Sequence, residues 1–201
     1  GFQGVKRAVI VLAMQNDQLY RQRLLQAVTR DWRAFVFAAE VCKGDREIVL
    51  AAVKQNGMAL QRAADNCKSD FEIVLTAIKQ DWQAFQWADP SCFRHPEIVR
   101  LVVEHDWSKL EWGAVNSRSD PEIVLTAVRQ SWQALRWASE NCRDNREIMM
   151  TAVKQDGHAF QWAGEQCSRD RDIALTAIED HGPALEWAAE NCRSDRELVA
   201  V

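Results

Sequence analysis

The feature that most constrains this chain is a repeat with a period of 25 residues. The stretch DFEIVLTAIKQDWQAFQWADPSC, residues 70–92, returns each time the sequence is shifted by 25 residues. A fixed period of about 20–50 residues is typical of solenoid proteins, in which each unit buries its apolar surface against its neighbours. Positions related by the 25-residue shift form a column, and the first column contains Tyr20, Asp45, Asp70, His95, Asp120, Asn145, Asp170 and Asp195.

These positions divide the chain into repeats. Residues 1–19 are interpreted as the second helix of a preceding partial repeat, residues 20–194 as seven full repeats, and residues 195–201 as the start of a further repeat. We number the full repeats 1 to 7 from Tyr20. No linker or low-complexity segment separates them, so the sequence predicts one continuous array. Because both ends fall within a repeat, we expect a longer chain or a partner that covers the ends.

Each repeat is predicted to form two short helices. An aspartate that caps the helix N-terminus precedes the first helix, most clearly where Asp120 is followed by Pro121. The second helix is predicted to run roughly from Trp82 to Cys92 in repeat 3, with apolar residues on one stripe at 100° per residue. The predicted caps of the second helix are Asp31, Asn56, Asp81, Asp106, Ser131 and Asp156.

Helices of this length are marginal when isolated in water, so each repeat must pack against its neighbours. The predicted fold is therefore an all-α, two-layer α-solenoid of 25-residue helix-turn-helix repeats.

The nine tryptophans occupy only two columns. The first column opens the second helix and contains Trp32, Trp82, Trp107 and Trp132. The second column lies five residues later and contains Trp87, Trp112, Trp137, Trp162 and Trp187. One interpretation is packing between repeats. The other is an aromatic binding surface, since tryptophan is enriched at binding hot spots and aromatic ladders can stack nucleic-acid bases.

Repeat 4 departs most from the pattern. It places His95 in the capping column, Arg100 in a column otherwise apolar, and Lys109 in a column of alanines, and it also carries His105. Sequence drift is one explanation. A docking point is the other, because departures from a regular pattern can mark specific function. The candidate partner-binding residues are therefore these four and the second tryptophan column.

Other chemistry has little support in the sequence. The six cysteines share one column without the short Cys or His spacings of metal sites, and we interpret them as small buried apolar residues, which favours an intracellular reducing compartment. The four histidines fall in different columns, and no catalytic motif or phosphate-binding loop is present. We therefore expect no enzymatic activity, no metal and no cofactor.

Charge and hydropathy bear on partners. The net charge is −4, and the polar column between the two tryptophan columns has no excess of positive charge. Both observations disfavour the binding of nucleic acid, which requires Lys and Arg to neutralise phosphates. No apolar run approaches the ~20 residues of a membrane-spanning helix.

The segment DREIVLAAVKQNGMALQRAADNCKSD, residues 45–70, resembles the repeat unit of domain of unknown function 4116, which reads much like D-R-E-I-V-L-x-A-V-x-Q-x-G-x-A-L-x-x-A-S-E. The resemblance covers residues 20–201, and the Trp-Ala and Cys columns are most similar to the algal members. It implies a helical repeat scaffold and transfers no catalytic or binding residue, because the family has no established activity.

The leading functional hypothesis is a non-enzymatic scaffold for protein–protein interaction, an accessory structural subunit of a larger organellar or photosynthetic assembly. The alternative is a module that binds a pigment, a small ligand or single-stranded nucleic acid along the aromatic ladder. Burial of the Trp87 column between repeats would argue against the alternative.

Overall fold

The structure, a computed structural model, describes residues 17–200, and these residues form helices without any strand. A longer α-helix opens each of the seven full repeats, as predicted, and a four-residue helix opens the further repeat. Side chains of the first column cap most of these helices; Asp170, for example, accepts hydrogen bonds from the backbone N–H groups of Asp172 and Ile173. The opening helices are α1 (Asp17–Arg30), α2 (Arg46–Gln55), α3 (Phe71–Gln80), α4 (Pro96–Val103), α5 (Pro121–Gln130), α6 (Arg146–Val153), α7 (Arg171–Asp180) and α8 (Arg196–Val199).

The second half of each repeat contains a short 3₁₀-helix. All six predicted caps, from Asp31 to Asp156, accept a hydrogen bond from the backbone N–H two residues later, which confirms them. The seven 3₁₀-helices are Trp32–Phe37, Gly57–Arg62, Trp82–Trp87, Trp107–Trp112, Trp132–Arg136, Gly157–Trp162 and Gly182–Trp187.

A single helical turn follows each 3₁₀-helix. In repeat 3 this turn is itself a 3₁₀-helix, Pro90–Arg94. In the other repeats it is α-helical, at Glu40–Lys43, Asp65–Lys68, Val115–Arg118, Glu140–Arg143, Glu165–Ser168 and Glu190–Arg193.

The prediction of one continuous second helix from Trp82 to Cys92 was therefore wrong. In repeat 2 the backbone is extended at both Ala63 (ψ 152°) and Ala64 (ψ 163°), between the 3₁₀-helix and the final turn. The N–H of Ala64 donates to the carbonyl of Lys43 in the preceding repeat at 2.9 Å, and not to a carbonyl of its own helix. The bond between repeats thus replaces an intrahelical one.

That bond recurs with the period of the sequence. In each case the backbone N–H that follows the break donates to a carbonyl 21 residues earlier, over N–O distances of 2.9–3.3 Å. The donors are Ala64, Asp89, Ala114, Ser139, Gly164 and Ala189, and the acceptors are Lys43, Lys68, Phe93, Arg118, Arg143 and Ser168. Equivalent residues of successive repeats therefore occupy equivalent places, as a solenoid requires.

The chain forms two compact units, the first ending at Cys92 and the second beginning at Phe93. Within the first unit α1, α2 and α3 pack side by side, and the 3₁₀-helices form a second layer. The second unit repeats this arrangement with α4 to α8. The solenoid-like, all-α arrangement is confirmed within each unit, whereas one array across all seven repeats stays a prediction.

The first repeat begins differently from the others. Helix α1 starts at Asp17, so Tyr20 lies inside a helix and does not cap one. The side chain of Tyr20 is buried, and its hydroxyl accepts a hydrogen bond from the N–H of Ala39 at 3.1 Å, in the place of the bond between repeats. Of the predicted partial repeat over residues 1–19, residues 1–16 lie outside the described residues.

A glutamine near the end of the opening helix also joins successive repeats. In repeat 6 the Oε1 of Gln155 accepts from the N–H of Trp132 at 2.9 Å, and its Nε2 donates to the carbonyl of Val128 at 2.5 Å. Gln55 and Gln130 make the same pair of bonds to the repeats before them. The glutamine thus satisfies backbone groups where the preceding repeat passes from α-helix to 3₁₀-helix.

Replacing Gln155 with alanine should lower the free energy of unfolding by about 1–2 kcal/mol, because it leaves two backbone groups of repeat 5 without their partner. Urea denaturation followed by circular dichroism measures the change. The matched control is Gln133→Ala, an exposed glutamine without a side-chain hydrogen bond in the described residues, which should change stability by less than about 0.5 kcal/mol. Equal effects of the two substitutions would contradict this role for Gln155.

Candidate functional site

We call the surface formed by the tryptophans of the second unit the tryptophan face: Trp107, Trp112, Trp132, Trp137, Trp162 and Trp187. All nine tryptophans of the chain belong to layers of 3₁₀-helices. Each lies in a 3₁₀-helix or, for Trp137, directly after one. Eight are half-buried, and Trp112 is 47% exposed. A half-buried indole can both pack between repeats and offer an exposed edge to a ligand. The burial of the tryptophans therefore does not decide between these two interpretations.

The 3₁₀ geometry changes which side chains meet. Three residues complete a turn of a 3₁₀-helix, so side chains at i and i+3 eclipse each other. Accordingly Trp82 stacks on Phe85 with ring centroids 5.7 Å apart and an interplanar angle of 5°. The indole N–H of Trp87 in the same helix is buried and has no hydrogen-bond partner among the described residues.

In the second unit the two tryptophan columns meet between successive repeats. The ring of Trp107, from the first column of repeat 4, lies 5.6 Å from the ring of Trp137, from the second column of repeat 5. The guanidinium of Arg136 lies 5.0 Å from the centroid of the Trp137 ring, a cation–π distance. A cation and two indoles therefore form one continuous patch.

Trp162 is held in a similar way. The guanidinium of Arg143 lies 4.9 Å from its ring centroid. The same guanidinium donates to the carbonyls of Leu135 and Arg136 at 3.0 and 3.1 Å, so it also caps the end of the preceding 3₁₀-helix. Arg143 therefore fixes the position of the Trp162 indole relative to repeat 5.

Trp187 packs against two histidines. His158 and His181 stack with ring centroids 3.7 Å apart, and His181 lies 5.7 Å from the Trp187 ring. The Nδ1 of His158 lies 2.7 Å from Oδ1 of Asp156, the cap of the same 3₁₀-helix. This stack extends the tryptophan face through repeats 6 and 7.

The structure places the divergent residues of repeat 4 in two different layers. Lys109 and Trp112 lie together, with the ammonium 5.0 Å from the indole centroid, and Trp112 packs edge-on against Phe93 at 5.4 Å. Arg100, by contrast, is exposed on helix α4. His95 occupies the N-cap position of that helix, but its side chain makes no hydrogen bond to the first turn. His105 is exposed beyond the end of the helix. Among these four residues, Lys109 lies beside a tryptophan.

A groove lies between two 3₁₀-helices of the second unit, on the tryptophan face. It encloses about 260 Å³ and combines residues of repeats 5 and 6. We call it the Arg136 groove, and it is lined by Trp132, Gln133, Arg136, Gln161 and Trp162.

All six cysteine side chains are buried, as the sequence analysis expected. Burial raises the pKa of the Cys167 thiol to about 12, with a further contribution from the carboxylates of Asp144 and Asp170. Burial likewise raises the pKa of the Cys67, Cys92, Cys142 and Cys192 thiols. Because the thiolate is the reactive form, these side chains are suited to packing and not to nucleophilic chemistry.

A ladder of ion pairs joins the opening helices of successive repeats. The Nε of Arg146 donates to Asp170 at 2.9 Å and a terminal nitrogen donates to Asp172 at 2.8 Å. In each pair of the ladder the arginine lies in one repeat and its acidic partners lie at the start of the next. The arginines of the ladder are Arg21, Arg46, Arg146 and Arg171.

The ladder bears on one departure in the first column. Pro121 replaces the arginine in repeat 5, and repeat 6 then carries Asn145 in place of aspartate. Repeat 5 begins with an aspartate, Asp120, although Pro96 occupies the arginine position in repeat 4. The carboxylate of Asp120 accepts hydrogen bonds from N–H groups of its own helix.

Burial alone would raise the pKa of the Asp170 carboxyl, but bonds from the Ile173 N–H and the Arg146 guanidinium outweigh it and hold that pKa below its usual value. The pKa of Asp45 and Asp70 is lowered for the same reasons. A carboxyl with a lowered folded-state pKa stabilises the fold above its unfolded pKa, ~3.9, and loses that effect as the pH falls through the folded value. We expect stability to be steady between about pH 7 and 5 and to fall below about pH 4.

Asp170→Asn keeps a side-chain oxygen for the helix cap, as Asn145 does, but removes the charge. It should be less stable than the natural chain at pH 7, and the difference should vanish as the pH falls towards 2–3. Urea midpoints measured across this range test it, with the exposed Glu179→Gln as the control that should follow the natural chain. Parallel curves for the natural chain and Asp170→Asn would contradict the assignment.

Among the described residues, no group of three or more His, Cys, Asp and Glu side chains is placed to hold a metal ion. No helix within residues 17–200 combines the length and apolar character needed to cross a membrane.

Tandem repeats of 25 residues, all helical and joined by recurrent bonds, define a helical repeat protein. The chain belongs to the family described as Domain of unknown function (DUF4116), which matches residues 20–65, 45–93 and 119–166, together more than half of the sequence. The first two matches start one period apart, at the first residues of repeats 1 and 2, which confirms the resemblance seen in the sequence. No curated protein and no solved structure matches the chain.

Proposed function

We propose that this protein is a non-enzymatic repeat scaffold that binds a protein partner through the tryptophan face and serves as an accessory structural subunit of a larger assembly. The observation that carries the proposal is the exposure of the Trp112 side chain, 47%, next to the cation of Lys109. Tryptophan is enriched at the energetic centres of protein interfaces, where one large side chain contributes much of the binding free energy.

The structure supports the proposal in a second way, through the rigidity of the face. The indoles of Trp137 and Trp162 each contact a guanidinium, and Arg143 is fixed by two backbone carbonyls. Side chains that are already ordered lose less conformational entropy on binding, which favours affinity. Support for an organellar or photosynthetic assembly comes from the sequence resemblance to algal members of the family.

Site-specific photo-crosslinking tests the proposal. A photoreactive phenylalanine analogue replaces Trp112 in the full chain, and a control chain carries it at Lys154, an exposed residue on the opening-helix side of repeat 6. In a native extract we expect the Trp112 probe to capture one defined protein that the Lys154 probe does not capture. The captured protein, once purified, should bind the natural chain at least tenfold more tightly than the Trp112→Ala variant.

Two results would overturn the proposal. One is a captured protein that binds Trp112→Ala as well as it binds the natural chain. The other is recovery of a pigment, a small ligand or single-stranded nucleic acid at Trp112 with no protein, which would favour the aromatic-ladder module.

A further inference from the structure

We infer that the Arg136 groove binds an aspartate or glutamate side chain of the protein partner, flanked by apolar residues that pack on Trp132 and Trp162. The inference rests on the proposed function and deepens it, because it names the chemistry that the partner must present.

The polar groups in the groove are rich in hydrogen-bond donors. An indole offers one N–H and no acceptor, and a guanidinium offers five N–H groups and no acceptor. In the described part of the chain, the side chains of Trp132, Gln133 and Trp162 make no hydrogen bond. Gln161 already donates its Nε2 to the carbonyl of His158 at 3.0 Å. The donors of two indoles and one guanidinium outnumber the two acceptor oxygens, the Oε1 atoms of Gln133 and Gln161, so the groove favours a ligand that supplies acceptors.

Arg136 gives the groove its charge. Its side chain is exposed and stacks on Trp137, and it forms no ion pair with any carboxylate in residues 17–200. It is also the only cation in its column, which otherwise reads Val36, Gln61, Gln86, Glu111, Gln161 and Glu186. Because no described carboxylate pairs with this guanidinium and the Trp137 ring orients it, the groove favours a ligand with an anionic group. A guanidinium can bind such a group through two parallel hydrogen bonds.

The size of the groove favours a side chain of a larger partner. Its volume of about 260 Å³ lies below the roughly 300–1,000 Å³ of pockets that enclose a whole small molecule. One carboxylate side chain and the edges of its apolar neighbours suit an open groove of this size between two indoles.

Charge argues against a nucleic-acid ligand in the same groove. The affinity of proteins for nucleic acid depends on the number of phosphates that are neutralised by Lys and Arg. Among the described residues that line the groove, Arg136 is the unpaired cation, and the equivalent residue of the preceding repeat is the acidic Glu111. A single carboxylate matches this arrangement, whereas a phosphate backbone that continued across repeat 4 would meet a like charge.

Peptide selection on the full chain tests the inference. A library of random peptides with amidated C-termini, displayed without a free terminal carboxylate, is panned against the natural protein. The enriched peptides should carry an Asp or Glu next to apolar residues. Fluorescence anisotropy then gives the Kd of a labelled peptide for the natural chain, Arg136→Glu and Arg129→Glu.

Arg129→Glu is the matched control, because it makes the same change of charge on helix α5, outside the groove. Its native partner is Glu147, at 3.6 Å. We expect Arg136→Glu to weaken binding of the acidic peptide at least tenfold and Arg129→Glu to change it less than twofold. A peptide with lysine in place of its acidic residue should recover at least part of the affinity for Arg136→Glu. Equal urea midpoints of the two variants confirm that both are folded.

Three results of the peptide experiments would overturn the inference: enriched peptides without a carboxylate, no enriched peptide at all, or an acidic peptide that binds Arg136→Glu as tightly as the natural chain. A single-stranded oligonucleotide that binds more tightly than the peptides and depends on Arg136 would also overturn it. If the Trp112 probe still captures a Trp112-dependent protein partner, the inference fails while the proposed function stands. If that capture fails as well, both fail.

Discussion

Replacing Phe160 with alanine is expected to lower the free energy of unfolding by about 3–5 kcal/mol, as is typical when a buried aromatic side chain is truncated. Phe160 is 1% exposed, and its 3₁₀-helix packs between helices α6 and α7. The loss is a large part of the roughly 5–15 kcal/mol that stabilises an ordinary domain. Urea denaturation followed by circular dichroism measures the change.

The repeat supplies the matched control for Phe160. Leucine occupies the same column at Leu60, Leu110 and Leu135, and each of these side chains is fully buried. Phe160→Leu should therefore cost less than about 1.5 kcal/mol, because the site accepts that shape elsewhere in the chain. If Phe160→Ala costs no more than Phe160→Leu, this column does not form the core between the two helical layers.

Replacing Gly57 with alanine is expected to lower the free energy of unfolding by about 2–3 kcal/mol, within the range for an overpacked site. A Cβ at this position would lie 2.3 Å from the carbonyl oxygen of Ala77 and 3.1 Å from the backbone nitrogen of Asp81. That carbonyl already accepts the N–H of Asp81 at 2.9 Å, so neither atom can move freely. Helix α3 and the Gly57–Arg62 helix would have to separate.

Gly44→Ala is the control in the same unit. The nearest atom to a Cβ at Gly44 is the Oδ1 of Asn66 at 3.1 Å, which is the end of a flexible side chain. We expect a change within about 0.5 kcal/mol, since removing a glycine also restricts the unfolded chain. Four repeats carry tryptophan in the Gly57 column and so accommodate a larger side chain there. If Gly57→Ala leaves the free energy of unfolding unchanged, the prediction is wrong, and repeat 2 adopts the spacing between helices that those four repeats have.

The sequence predicted the parts of the fold that depend on local chemistry. Asp170 and its equivalents cap the opening helices, and Asp31 and its equivalents cap the second ones, because a short polar side chain before an apolar run is a local signal. The burial of the cysteine column was predicted from its regular position in the repeat and from the absence of the short Cys or His spacings of metal sites.

The errors concern features that depend on the neighbouring repeat. Ala84, Phe85, Ala88 and Cys92 fit an α-helical stripe, and Pro90 directly follows Asp89, whose N–H bonds to the carbonyl of Lys68 at the break. In repeat 2, however, no glycine or proline adjoins the same break at Ala64, so the proline is not a signal that the repeats share. A hydrophobic pattern in the sequence does not indicate which carbonyl accepts a hydrogen bond from a given backbone N–H. Likewise, Gln155 looks like an ordinary polar residue at a helix end until its two bonds to repeat 5 are seen.

The candidate site was predicted in part. The two tryptophan columns were evident from their spacing, but the 3₁₀ geometry that brings Trp107 against Trp137 was not. The sequence contained one signal that was not used: Arg136 is the single cation in a column of neutral and acidic residues. Repeat 4 differs from the other repeats in many columns, whereas the Arg136 groove differs from the equivalent positions of the other repeats in one column.

Amide hydrogen exchange, resolved by residue, tests the central claim that successive repeats hold one another through bonds of a 25-residue period. We predict slow exchange, comparable to that of the opening helices, at the N–H groups that donate to the preceding repeat: Ala64, Asp89, Ala114, Ser139, Gly164 and Ala189. Exchange of these six amides at the rate of an unstructured peptide, while the opening helices remain protected, would contradict the account.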